Sequence, residues 1–211
     1  LAERIRFFHF VWHLFVIRVP RAISSRSFGT RPEMVTSDLQ VLQSVALACL
    51  LAWASGIRLY LVVFAVGLGG YYGYIELPAG LKVLQHPWVI GAASSLLVME
   101  FLVDKAPGID SLWDVFHTLI RIPAGALLAA GATGDTLSAL TVAAGLLGGT
   151  ITAGTHITKA GGRAVINASP EPFSNWTASF TEDATVLAGI WLAFQYPAVF
   201  LAALAVFVAL A

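Results

Sequence analysis

Long apolar stretches alternate with short polar corners along this chain of 211 residues. Residues 39–74 form the longest apolar run, 36 residues with Ser55-Gly56 and Arg58 at its middle. A straight helix of that length would measure about 54 Å, against a hydrocarbon core of roughly 30 Å. The run is therefore expected to break at Ser55-Gly56 into two antiparallel segments, 39–54 and 57–74. The first is short, so a re-entrant half-helix stays open as an alternative. Residues 75–87 read as a loop with two prolines. Apolar segments follow at 88–103, 111–130, 137–158, 176–195 and 197–211, separated by a Pro107-Gly108 turn, a tight turn at 131–136, a polar connection at 159–175 and Pro197. These runs are continuous and lack the period-two alternation of membrane strands. The pattern predicts an all-α fold, a polytopic transmembrane helix bundle of about seven membrane segments.

The beginning of the chain differs. Residues 1–19 are aromatic and apolar, but Arg6, His9 and His13 fall on one helical face. The stretch is too interrupted for a confident span and reads as an N-terminal interfacial helix. A polar linker follows, giving two regions: 1–38 on the membrane surface and 39–211 within it. Trp53, Trp88, Trp113, Trp176, Trp191 and Tyr196 fall near segment ends, where an aromatic belt would place them. Gly145 and Gly149 form a small-residue pair suited to close helix contact.

Composition supports the membrane reading. The chain is 58% hydrophobic and 11% charged, where soluble domains carry about 25% charged residues. Its mean hydropathy is +0.81. Twelve basic and twelve acidic residues cancel, which argues against a nucleic-acid partner. The single cysteine, Cys49, permits no disulfide within the chain.

The candidate chemistry lies in four polar clusters. Asp110, Trp113, Asp114, His117 and Arg121 recur at helical spacing and share one face of a helix. Glu100, Asp104 and Lys105 precede them. His156, Lys159 and Arg163 form a third group, and Asn175, Glu182 and Asp183 a fourth. If each segment crosses once, the turns at 55–58, 104–110 and 159–175 lie on one side, so Arg58 joins these clusters. Charges inside membrane segments face protein or water and mark ion or solute pathways. The expectation is a water-filled vestibule that narrows where Arg121 meets Glu182 or Asp183. The competing reading is structural: ion pairs, with Asp110 or Ser111 as a helix cap. Asp110, Asp114 and His117 are weak candidates for a metal site, since there is no HExxH and no histidine-rich tract. No motif points to a cofactor. Two hairpins also look alike: Asp104-Lys105-Ala106 with Ser111-Leu112-Trp113, and Thr158-Lys159-Ala160 with Ser174-Asn175-Trp176. The matches are short, so chance similarity stays open beside an internal repeat.

Longer motifs carry a resemblance. SGIRLYL (55–61), PWVIG (87–91), EFLVDKAPGIDSLWDVFHTLIRIPAGALLAA (100–130), THITKAGGRAVINASPEPFSNW (155–176) and EDATVLAG (182–189) make residues 39–211 similar to a bacterial membrane family known only as domain of unknown function 4126. The resemblance implies a multi-spanning membrane protein and brings no activity, ligand or catalytic residue. Three functions remain. The leading one is a transporter or channel for a small ion or polar solute, through a polar cavity opening on one side. The second is an accessory or structural subunit of a larger membrane complex, joined through residues 1–20 and the glycine-rich helix faces. The third is an intramembrane lipid-headgroup enzyme with Asp114–His117 as a general-base pair and Lys159/Arg163 as a phosphate clamp. The partner expected in every case is the lipid bilayer, and the location a bacterial inner membrane. Seven Lys/Arg on the N-terminal side against four at the three turns place the N-terminal side in the cytoplasm.

Overall fold

The computed structural model describes residues 32–105, 109–134, 138–168 and 172–210. The surface helix expected over 1–19 lies outside them. Six α-helices and one 3-10 helix make up the described fold, with no strand among these residues. They are α1 (Pro32–Tyr71), the 3-10 helix Ala79–Gln85, α2 (Pro87–Val103), α3 (Ile109–Gly131), α4 (Ala139–Asn167), α5 (Pro172–Gln195) and α6 (Pro197–Leu210).

Helix α1 begins at Pro32, inside the expected polar linker, and supplies the centre of the bundle. Residues 46–62 are almost all buried, whichever way their side chains point. The helix breaks at Arg58, whose φ of −143° and ψ of 74° are non-helical. The break is thus one residue, not the four-residue turn expected from Ser55-Gly56. Neighbouring contacts show how the two limbs run. On the first limb, the Ala52 carbonyl accepts the Thr152 hydroxyl and Gly56 abuts Thr152 and Thr155, so this limb follows α4 in the same sense. Helix α3 runs the opposite way, because its Gly125 meets Thr152 and Gly148 of α4 meets its Ala129. On the second limb, Gly67 packs against Leu84 and Gly70 against Gln85 of the 3-10 helix. Gly80 of that same helix meets Gly131 at the end of α3. The second limb therefore heads back toward the end of the bundle from which the first arrives.

Three helical stretches are long and apolar enough to cross a membrane: Asp38–Tyr71, Leu112–Gly131 and Ala139–Asn167. The 3-10 helix and α2, bent by 67° where they join, make a fourth if taken as one broken span. Seven separate segments are more than these lengths and hydropathies establish. The largest revision concerns α4, which continues through Lys159 and Arg163 to Asn167. The expected polar connection shrinks to a few residues, because those charges face inward on a helix instead of lying in a loop. The two hairpins accordingly differ. Lys105 follows the end of α2, whereas Lys159 sits two turns before the end of α4. The aromatic belt is also incomplete: Trp53 is buried against Phe200 and Phe207 of α6, while Trp88 and Tyr196 are exposed.

Close helix contact rests on small residues. A Cβ on Gly125 would run into the branched Thr152 side chain, and one on Gly56 would come within 2.7 Å of Thr152 O. Gly154, by contrast, faces open space. Gly125→Ala should therefore lower stability by about 1–3 kcal/mol through overpacking. Gly154→Ala should raise it by up to about 1 kcal/mol through helix propensity. Thermal unfolding in detergent reads both, and equal effects would contradict this packing.

Candidate functional site: a buried ion-pair network at the helix break

The bundle is charged inside and apolar outside. On α3, Asp110, Asp114, His117 and Arg121 are buried, while Phe116 is 71% and Leu119 80% exposed on the other side. The spacing that grouped the polar residues also separates them from the apolar face. Val165 on α4 and Phe173 on α5 are likewise exposed. A surface of large hydrophobic side chains over a core of arginines suits a lipid environment, where the apolar face needs no water and the charges must pair internally.

Arg58 stands at the break and is fully buried. Its guanidinium forms an ion pair and hydrogen bond with Asp104. It lies 3.8 Å from Glu100, 3.4 Å from Glu182 and 2.8 Å from Asp183. It also donates to Ser179 Oγ at 2.7 Å and to the Ser179 carbonyl at 3.1 Å. The non-helical residue interrupts the i→i−4 ladder, so nearby carbonyls need other donors. Lys159 Nζ donates to the Ile57 carbonyl at 3.0 Å, and Arg121 Nη1 to the Gly56 carbonyl at 3.4 Å. Buried cations thus cap the C-terminal end of the first limb, where a helix C-terminus favours positive charge.

Arg121 pairs with Glu100 and lies 3.2 Å from Asp114. The expected meeting of Arg121 with Glu182 or Asp183 does not occur. Those two carboxylates belong to Arg58, and Glu182 also to Arg163 at 2.8 Å and Lys159 at 3.5 Å. Lys159 additionally lies 3.7 Å from Glu100 and 3.6 Å from Asp114. Spacing along one helix shows which side chains share a face, but not which neighbour they meet.

A chain of hydrogen bonds runs from this core toward the start of α3. Arg163 donates to Asn175 Oδ1 at 3.2 Å, Asn175 Nδ2 to Asn167 Oδ1 at 2.8 Å, and Asn167 Nδ2 to Asp110 Oδ1 at 2.9 Å. His156 Nδ1 faces Arg121 Nη1 at 3.3 Å. A guanidinium can only donate, so Nδ1 accepts and the proton sits on Nε2. Nε2 then donates to Thr118 Oγ1 at 2.7 Å, whose own proton goes to the Asp114 carbonyl at 2.9 Å. His156 is therefore held as the neutral tautomer. His117 stacks on Trp113 at 4.0 Å and its Nδ1 donates to the Trp113 carbonyl at 2.8 Å. Asp110, Asp114 and His117 are thus drawn to different partners. Among the described residues no group of three histidine, cysteine or carboxylate side chains converges for a metal.

Twelve of the fourteen sequence-derived residues enter this buried assembly. His117 stands apart against Trp113 and Tyr60, and Lys105 lies at the network's edge. Its ammonium lies over the Phe101 ring, 5.2 Å from the Phe180 centroid, and donates to the Phe101 carbonyl at 3.1 Å. Loss of water and then the nearby Arg58 lower its pKa. The residue that spacing overlooked is Ser179. It falls at i+4 from Asn175 and i−3 from Glu182, so the helical face of α5 would have included it. The expected water-filled vestibule is instead a packed polar core. Beside it lies a cavity of about 210 Å³ lined by Thr158, Lys159, Gly162, Arg163, Glu182 and Phe207.

These features define a membrane-embedded helical protein built around an internal ion-pair network. Residues 45–211 match the family described as Domain of unknown function (DUF4126), and the chain belongs to that family. No curated protein and no solved structure matches it.

Removing one partner from a buried pair leaves an uncompensated charge, at a cost of about 3–5 kcal/mol. Glu100→Gln should lower stability by that amount. Lys105→Met, which removes a cation–π contact and the hydrogen bond to the Phe101 carbonyl at the network's edge, should cost less, about 1 kcal/mol. Similar unfolding temperatures for the two variants would contradict the network's role.

Proposed function

We propose that the protein moves a small ion or polar solute across the bacterial inner membrane, along the polar column between the start of α3 and the break in α1. The observation that carries this reading is the break itself. Arg58 and the carbonyls of Gly56 and Ile57 sit beside Arg121, which is about 18 Å along α3 from Ile109. If α3 crosses a hydrocarbon core of roughly 30 Å from near Ile109, this reading puts unwound backbone and paired charges well inside it. Discontinuous membrane helices with carbonyls and charges at mid-depth form the binding sites of many transporters. In this reading Lys159 and Arg121 occupy the carbonyls at rest, and a solute competes for them. The one-sided column, with tight Gly125–Thr152 and Gly148–Ala129 packing beyond it, favours alternating access over an open pore. The N-terminal side then faces the cytoplasm, as the distribution of Lys and Arg suggests.

The test is flux into liposomes containing purified protein, with panels of small cations, anions and neutral polar solutes. The double variant Asp114→Asn/Arg121→Gln neutralises both signs together and should reduce flux to that of protein-free liposomes. Flux retained in a folded double variant would overturn the proposal.

A further inference from the structure

Lys105 stands at the edge of the network, and its setting differs from that of the other cations. Arg58, Arg121, Lys159 and Arg163 each form ion pairs with carboxylates drawn from Glu100, Asp104, Asp114, Glu182 and Asp183. Lys105 supplies the fifth positive charge against these five negative ones. Asp183 and Asp104 attract its ammonium, while Arg58 and Arg163 repel it. Among the described residues, no carboxylate comes within 4.0 Å of it.

Aromatic faces hold it instead. The ammonium lies over the Phe101 ring, 5.2 Å from the Phe180 centroid and 6.0 Å from that of Trp176. All three rings fall within the range of about 6 Å over which a ring face attracts a cation. Two helical spacings build this cage. Phe101 and Lys105 are one turn apart at the end of α2, and Trp176 and Phe180 one turn apart on α5. Phe101 and Phe180 meet edge to face, with centroids 5.9 Å apart. Trp176 and Phe180 are about half exposed, so the cage is open to the outside of the bundle.

This setting selects a ligand. The neighbouring carboxylates require a positive charge, and exchanging one cation for another keeps five charges against five. A lysine ammonium is strongly hydrated and gives up water to lie against three rings. Of its three N–H donors, one goes to the Phe101 carbonyl at 3.1 Å. An alkylated ammonium holds less water, needs no hydrogen bond and offers its methyl groups to the same faces, which is how aromatic cages recognise quaternary ammonium ions.

We propose that Phe101, Trp176 and Phe180, in the field of Asp183 and Asp104, form a binding site for a small alkylated ammonium ion, and that Lys105 fills this site as a tethered stand-in until the ligand displaces it. Binding stands by itself; that the ligand is the solute moved along the polar column rests on the transport reading.

Equilibrium binding of radiolabelled tetramethylammonium to the purified protein, in nanodiscs of phosphatidylethanolamine and phosphatidylglycerol, tests the site. A tethered competitor acts at an effective concentration in the millimolar range, so Lys105→Ala should bind about tenfold tighter than the unaltered chain. Lys105→Gln gives the same comparison if Lys105→Ala does not fold. Adding Phe180→Leu, which keeps apolar bulk and removes the ring face, should weaken binding about two- to fivefold. Choline should compete, and its neutral analogue with carbon in place of nitrogen should not. No saturable binding in a folded Lys105 variant, binding indifferent to Phe180→Leu, or equal competition by the neutral analogue overturns the proposal. Phosphatidylcholine nanodiscs separate two sources of the same chemistry: suppressed tetramethylammonium binding identifies a lipid choline as the occupant, and unchanged binding a free ion. Liposome flux separates this site from the transport reading. Tetramethylammonium binding without flux of any solute removes the transport reading and leaves the site; flux of another solute without tetramethylammonium binding removes this proposal alone.

Discussion

Arg58 lies where a central helix loses its hydrogen-bond ladder, and four carboxylates from α2 and its end and from α5 gather around its guanidinium. Each part depends on the other. Without the break, the Gly56 and Ile57 carbonyls would be bonded within the helix and would offer Arg121 and Lys159 nothing. Without those cations, two buried carbonyls would lack donors, at about 1–3 kcal/mol each. The guanidinium suits the position because its planar fork offers five donors and keeps its charge when buried. A lysine there could not reach Asp104, Ser179 and Asp183 at once.

The rest of the bundle arranges itself around that constraint. Charges at the centre require a lining of helices on every side, and α2, α3, α4 and α5 each contribute one polar face. Their other faces, such as Leu119 and Val165, are apolar and exposed, as suits a lipid environment. Small residues let the helices approach closely enough for short pairs to form: Gly56 and Gly125 leave room for Thr152 and Thr155, and Gly148 for Ala129. In lipid, where apolar burial adds little between helices, such packing and polar contacts carry much of the association.

Much of this was legible in the chain, and the misreadings share a cause. The α3 face from Asp110 to Arg121 followed directly from helical spacing, and the inward direction of Glu100 and Asp104 from the cost of charge in lipid. The position of the break was legible to within a few residues, since no 36-residue helix fits the bilayer. Its one-residue form was not, because the Arg58 backbone is held by side chains distant in sequence. Lys159 and Arg163 read as a loop because hydropathy treats charge as a sign of water, while here it is matched by Asp104, Asp114 and Glu182. Trp53 read as an interfacial anchor for a similar reason; its ring packs against α6 instead. Pairing partners such as Arg121–Glu100 depend on tertiary arrangement and leave no local trace.

Arg58 and Asp104 act as one buried unit at the break. A double-mutant cycle in lipid nanodiscs, with Arg58→Met, Asp104→Leu and the pair together, measures this directly through unfolding free energies. Each single variant should lose about 3–5 kcal/mol, and the double variant much less than their sum, because it leaves neither charge stranded. Additive losses would contradict the central claim and leave the two residues as neighbours without a shared role.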